Sequence, residues 1–150
     1  MIRVQAAPLD VPGELASFGR GCCGIGAVAS FVGLVRAEHG GRPVHAMTLE
    51  HYPGMTERQL GLVEAEARRR WPLRDSLVVH RIGRMLPGEA IVLVATASAH
   101  RRAALDACSF LIDWLKTDAP FWKLEETPEG ERWVEARAED DAARERWAAS

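Results

Sequence analysis

Lysine is rare in this chain, and its placement is uneven. Of 19 basic side chains only Lys116 and Lys123 are lysine, and they bracket one short segment. Lysine can lose its proton near neutral pH when neighbouring charges lower its pKa, whereas arginine cannot. If both amines share a pocket with an arginine, the pattern predicts a general acid/base pair. Solvated surface lysines are the alternative, and a cation such as Lys116 is also favoured in a last helical turn.

A second cluster, Ser98 to Arg102, lies where a strand is expected to lead into a helix. A helix start carries partial positive charge, so arginines there favour a bound anion. His100 and Arg101 are therefore candidate phosphate ligands; alternatively, the arginines point into water and His100 caps the turn. Arg36 ends another expected strand, in which Gly33 could let a ligand approach the backbone. The alternative there is an exposed arginine at a strand end.

The remaining reactive side chains favour no further site. Cys22 and Cys23 are neighbours, a spacing that fits neither a disulfide framework nor a metal knuckle, and reduced thiols in a cytoplasmic protein are expected. The histidines are too scattered along the chain to indicate a metal site, and no metal is expected.

Composition limits the classes of partner. The formal net charge is -2, which disfavours nucleic acid, and no apolar run approaches the ~20 residues that cross a bilayer. A chain of 150 residues with 47% hydrophobic content is expected to form one domain, residues 1–150.

The periodicities predict an α+β domain in which two main helices cover a largely antiparallel sheet. A capping box at Thr56 to Gln59 would start the first helix, and the second would run from near His100 to Lys116. The expected strands are Ile2 to Gln5, Ala27 to Val35, Val44 to Tyr52, Leu77 to Ile82 and Ala90 to Ala97. The last two are expected to pair as a hairpin, and a small C-terminal hairpin is expected around Thr127 to Gly130.

Several blocks, in order, resemble the molybdopterin synthase large, catalytic subunit family. They are Leu49 to Thr56, His80 to Gly83, Pro87 to Glu89, Ser98 to Arg101, Lys116 to Thr117, Ala119 to Lys123, Thr127 to Gly130 and Arg132 to Ala136. The resemblance covers roughly residues 25–137, leaving a poorly matched segment 1–20 and a charged tail, 138–150. It implies the family's α/β hammerhead fold.

The resemblance also implies a sulfurtransferase. Its substrate would be cyclic pyranopterin monophosphate, which receives two sulfurs to form the molybdopterin dithiolene of the molybdenum cofactor. Sulfur would come from a small ubiquitin-like partner whose C-terminal Gly-Gly ends in a thiocarboxylate. The chain would form a homodimer at the centre of a heterotetramer, and no cofactor would be needed.

Site residues follow from the same resemblance. Lys116 and Lys123 would be catalytic as well as substrate-binding. The other implied substrate-binding residues are Leu34, Val35, Arg36, His100, Arg101, Leu124, Glu125 and Arg137. Of these, His100, Arg101 and Arg137 would serve the neighbouring protomer's site. Leu34 and Leu124 stand where relatives often carry a basic residue, so any contact there would come from backbone. A non-catalytic module that captures the tail of a ubiquitin-like protein is the rival interpretation.

Overall fold

The computed structural model describes residues 1–117, 119–134 and 138–148. The strands are β1 (Ile2–Gln5), β2 (Ala27–Leu34), β3 (Glu38–His39), β4 (Arg42–Pro43), β5 (Ala46–His51), β6 (Leu73–Arg81), β7 (Gly83–Met85), β8 (Ala90–Ser98), β9 (Phe121–Thr127) and β10 (Gly130–Val134). The helices are α1 (Val11–Ser17), α2 (Met55–Arg70), α3 (Arg101–Thr117) and α4 (Ala138–Ala148).

The described strands form two four-stranded sheets and one two-stranded ladder. The sheet orders are β1-β6-β8-β2 and β10-β9-β5-β7, and β3 pairs with β4. Only β1 and β6 pair in parallel, and the other described pairs are antiparallel. The α+β class and the largely antiparallel pairing predicted from the periodicities are confirmed.

The long helices α2 and α3 cover one face of the first sheet. Phe110 and Leu111 of α3 are fully buried against Val78 and Val94 of the sheet. Burying an aliphatic or aromatic side chain of this size stabilises the fold by about 1.5–3 kcal/mol, so this cluster holds α3 in place.

The start of α2 differs from the prediction. Gly54 is the N-cap residue, and the Glu57 carboxylate accepts from the Gly54 N–H at 2.7 Å. Thr56 lies inside the helix, where its hydroxyl accepts from the Tyr52 N–H at 3.0 Å. The predicted capping box was therefore placed two residues too late, because the hydroxyl of Thr56 serves the preceding turn.

The connection between β6 and β8 also differs from a simple hairpin. The two strands pair as predicted, with Val79 opposite Leu93. Between them, however, β7 leaves the first sheet and pairs with β5 of the second. Met85 of β7 is fully buried with Met47 and Leu49, so this excursion builds the core of the second sheet.

The C-terminal part contains the predicted hairpin and a helix. β9 and β10 pair antiparallel from Gly130 opposite Thr127 onwards, which confirms the hairpin. Helix α4 packs on α3, where the Trp147 indole N–H donates to the Asp113 carboxylate at 2.6 Å. Among the residues that the structure describes, no helix is both long and apolar enough to cross a membrane.

Candidate active site

A pocket of about 220 Å³ opens where β2, the β3–β4 ladder, β9 and the end of α3 meet. Six residues predicted for the site line it: Leu34, Val35, Arg36, Lys116, Lys123 and Glu125. They come from three separate stretches of the chain, and the fold brings them to one cavity. The two lysines thus share a pocket with an arginine, which is the condition set above for a lysine acid/base pair.

Arg36 is positioned by the irregular end of β2. The register of β2 against β8 shifts between Gly33 and Leu34. Beyond the shift, Val35 is buried, and its N–H donates to the Glu89 carbonyl at 2.9 Å. Because side chains alternate along extended chain, Leu34 and Arg36 are exposed on the other side. This alternation directs the guanidinium away from the core.

Gly33 has a different role from the one considered from the sequence. A Cβ at this position would lie 2.8 Å from Cγ1 of Val92 on the neighbouring strand. The absence of a side chain therefore accommodates the packing of β2 on β8, and the close approach at Gly33 is to protein.

The two lysines flank one wall of the pocket. Lys116 is in the last turn of α3, and Lys123 lies on β9 just beyond the bend that joins them. Between them Phe121 lines the pocket and stacks on the His80 ring, with centroids 3.9 Å apart. Aromatic packing of this kind fixes the strand that carries Lys123.

The pKa of His80 is lowered by burial and, in part, by the charges of the two lysines. Burial is the main cause that lowers its pKa to about 4, and the charges of Lys123 and Lys116 lower the pKa further. A hydrogen bond of 3.0 Å between Nδ1 and the Arg81 carbonyl acts in the opposite direction. Both amines therefore lie within electrostatic range of a single buried, neutral imidazole.

Glu125 is the buried acid of the pocket. Only 4% of it is exposed, and its Oε1 lies 2.5 Å from Nδ1 of His39 and 3.6 Å from the Arg132 guanidinium. Lys123 and Glu125 are two residues apart on β9, so their side chains share a face. His39 could not be predicted as a partner of Glu125, because 86 residues separate the two in the sequence.

His100 and Arg101 lie at the other end of α3, and both are exposed. Fifteen residues of helix separate Arg101 from Lys116, which is ~22 Å at 1.5 Å per residue. The junction between β8 and α3 is closely packed, since a Cβ on Gly26 would lie 2.2 Å from the Ala99 carbonyl oxygen. Within one chain the structure does not bring His100 and Arg101 to the lysine pocket.

One further predicted residue, Leu124, does not line the pocket. Leu124 lies between Lys123 and Glu125 on β9, so its side chain points to the opposite face, where it is paired with Trp133 and Thr48 of the adjacent strands. Arg137 lies outside the described residues.

Other reactive groups in the described part of the chain form no additional centre. Within residues 1–117, 119–134 and 138–148, no group of three or more His, Cys, Asp or Glu side chains is placed to hold a metal ion. Cys22 and Cys23 are free and exposed. Burial raises the pKa of Cys108 to about 11, so this thiol is a core residue and not a nucleophile.

Most of the chain matches a known protein family. The family described as "MoaE protein" matches residues 4–118, which is most of the chain. The chain belongs to the MoaE family. A curated relative, the molybdopterin synthase catalytic subunit of Pseudomonas aeruginosa, is 58% identical over 97% of each chain.

Solved structures of MoaE proteins agree with this fold. A molybdopterin biosynthesis MoaE protein from Burkholderia ambifaria is 52% identical, with a TM-score of 0.85 over 100% of this chain and 99% of that one. A more distant structure, from Helicobacter pylori, is described as a complex of subunits 1 and 2 of molybdopterin-converting factor. It is 21% identical, with a TM-score of 0.76 over 91% of each chain, and shares the MoaE fold.

Proposed function

We propose that the chain is the catalytic subunit of a molybdopterin synthase and that sulfur transfer takes place in the lysine pocket. The reaction converts cyclic pyranopterin monophosphate to the dithiolene, with sulfur supplied by the thiocarboxylate of a small ubiquitin-like subunit. The observation that carries the proposal is that Lys116, Lys123 and Arg36 line one cavity in a chain of the MoaE family.

The pocket residues suit an anionic substrate. Arg36, exposed at the rim, offers a fork of N–H donors that matches a phosphate, and the two amines add positive charge nearby. Each sulfur addition needs protons moved as the carbon–oxygen bonds of the pterin side chain are replaced. Lys116 and Lys123 are placed to move these protons, because both amines line the cavity in which the substrate would lie. No resident cofactor is required for these steps.

The neighbouring protomer would complete the site. His100 and Arg101 lie too far from Lys116 to act in their own chain's pocket, so we assign them to the pocket of a second copy. A central homodimer with one small subunit at each end would satisfy this geometry. The thiocarboxylate tail of the small subunit would enter the pocket beside Lys123. A cytoplasmic location is proposed because the three cysteines fit a reducing compartment.

One reconstitution tests the activity. The purified chain is mixed with thiocarboxylated small subunit and cyclic pyranopterin monophosphate, and the dithiolene is measured after conversion to a fluorescent derivative. We expect product with two carriers consumed per pterin. Binding of the small subunit without any dithiolene would instead support the non-catalytic capture module, and would end the enzymatic proposal.

A further inference from the structure

One pair of side chains lies in the pocket beside the lysines and can do chemistry of its own. His39 and Glu125 both line the cavity, and the 2.5 Å contact joins Nδ1 of the imidazole to Oε1 of the carboxylate. An ionised carboxylate can only accept hydrogen bonds, so Nδ1 carries the proton in this contact. In the neutral ring, the second nitrogen, Nε2, then keeps its lone pair available to a molecule in the pocket.

The local fold holds His39 in this place. His39 pairs with Arg42 across the β3–β4 ladder, and Gly40 and Gly41 form the two-residue turn between them. Their φ angles of +58° and +76° are those of a type I′ turn, which glycine adopts without strain. The imidazole is therefore presented from the strand end next to a tight turn.

Glu125 is equally constrained. It is buried on β9, and Arg132 lies opposite it in the register with β10, 3.6 Å away. A buried carboxylate whose Oε1 lies near both a guanidinium and an imidazole is a well-compensated charge. The carboxylate fixes the tautomer and the orientation of the ring, as acids do for histidines that act as bases.

Sulfur transfer leaves a task that fits this pair. When the sulfur of an acyl thiocarboxylate attacks carbon, the carrier becomes joined to the pterin through an acyl thioester. Release of the carrier requires water at the acyl carbon. We propose that His39, oriented by Glu125, accepts the proton of this water through Nε2. This inference rests on the proposed synthase activity and assigns a residue to its hydrolytic step.

The step balances without any further reagent. The water oxygen forms a bond to the acyl carbon while one water proton passes to Nε2 of His39. The carbon–sulfur bond of the thioester then breaks, and its electron pair remains on the sulfur that stays with the pterin. The imidazolium gives its proton to that thiolate or to solvent, and the carrier leaves as a carboxylic acid that loses its own proton to solvent.

The variant His39→Asn tests the role. Asparagine can still donate to Glu125 but cannot accept a proton at neutral pH. In a single turnover with thiocarboxylated small subunit and cyclic pyranopterin monophosphate, intact-mass spectrometry follows the carrier–pterin adduct. We expect the adduct to form at the wild-type rate and to decay on the order of 100-fold more slowly.

His45→Asn is the matched control, because His45 is exposed and does not line the pocket. It should leave both phases unchanged. Decay of the adduct at the wild-type rate in His39→Asn would overturn the inference, and so would equal slowing of adduct formation and decay. Failure of the wild-type chain to make any dithiolene would refute the synthase activity itself, which distinguishes the two failures.

Discussion

The two ends of helix α3 carry basic side chains in different surroundings. At the C-terminal end, Lys116 lines a pocket together with Lys123 and Arg36. At the N-terminal end, His100 and Arg101 are exposed and line no part of that pocket. One helix therefore presents two basic groups ~22 Å apart.

The dipole of α3 explains why only its C-terminal end accommodates a basic side chain without a ligand. A cation is stabilised at the carbonyl end of a helix, so Lys116 fits its position without any ligand. At the amino end two successive arginines oppose the helix dipole. Arg102 is offset by Asp106 at 3.2 Å, whereas Arg101 makes no ion pair in the described part of the chain. An anion, or the substrate bound by a second protomer, would compensate the charge of Arg101. The difference between the two ends of α3 leads to three tests.

The largest effect is expected at the pocket end. Lys116→Ala should reduce dithiolene formation on the order of 10³-fold, because it removes a proton-transfer group while the buried face of α3 stays intact. The measurement is the initial rate of product formation in the reconstituted system. Unfolding by urea should remain cooperative, with a midpoint close to that of the wild type.

A companion substitution separates charge from proton transfer. Lys123→Arg keeps the positive charge of β9 but cannot lose a proton near neutral pH. Activity should fall nearly as far as in Lys116→Ala. A fully active Lys123→Arg protein would show that charge alone suffices at that position.

The second test asks whether the N-terminal end of α3 contributes Arg101 to the pocket of another protomer. Arg101→Ala alone should lower activity by roughly 10- to 100-fold, the cost of about 1.5–3 kcal/mol for a charged hydrogen bond. If a Lys116→Ala chain and an Arg101→Ala chain are combined in mixed dimers, one pocket receives both groups intact. Activity should then rise well above that of either parent.

Arg102→Ala supplies the matched control for this experiment. Its side chain is 88% exposed and pairs with Asp106 within the same helix, so its loss should leave activity nearly unchanged. Mixed dimers no more active than pure Arg101→Ala would show that each chain uses its own amino end or none, against the shared-site proposal.

The difference between the two ends also marks what the sequence could predict. Periodicity located α3, β2, β6, β8 and the β9–β10 hairpin because these patterns are local. The split into two sheets was not predictable, since β7 is three residues long and pairs with β5 through contacts far apart in sequence. The start of α2 was misplaced because Thr56 satisfies the turn before the helix.

Within the site, the sequence predicts the side chains that stand out in the composition. It does not predict side chains whose role depends on contact with a residue far away in the chain. The clustered lysines drew notice by composition alone. His39 carries no such signal, because its relation to Glu125 arises only when the β3–β4 ladder folds over β9. His80 was missed for the same reason, since its stacking on Phe121 joins distant segments.

The third test concerns stability at the pocket end, near the lysines. His80 has a pKa of about 4 in the folded protein, against 6.5 for the unperturbed side chain, with burial as the main cause. Between these values the unfolded chain binds more protons, so the stabilisation is fully present above pH 6.5 and is lost as pH falls towards 4. The loss between pH 7.5 and 4.5 is about 2–3 kcal/mol.

Urea unfolding of the wild type and of His80→Phe at both pH values measures this contribution. Phenylalanine keeps a ring against Phe121 but does not titrate, so its free energy of unfolding should fall less on acidification, by about 2–3 kcal/mol. The pH 7.5 values of the two proteins account for any cost of lost packing or of the hydrogen bond to Arg81. Equal losses of unfolding free energy in the two proteins would mean that His80 is not held neutral. The side of the pocket near Lys116 and Lys123 would then be more open to water than the burial of His80 indicates. Such a result would also remove the difference between the two ends of α3, namely a C-terminal end that lies beside a buried wall and an N-terminal end whose charge is compensated only by a ligand.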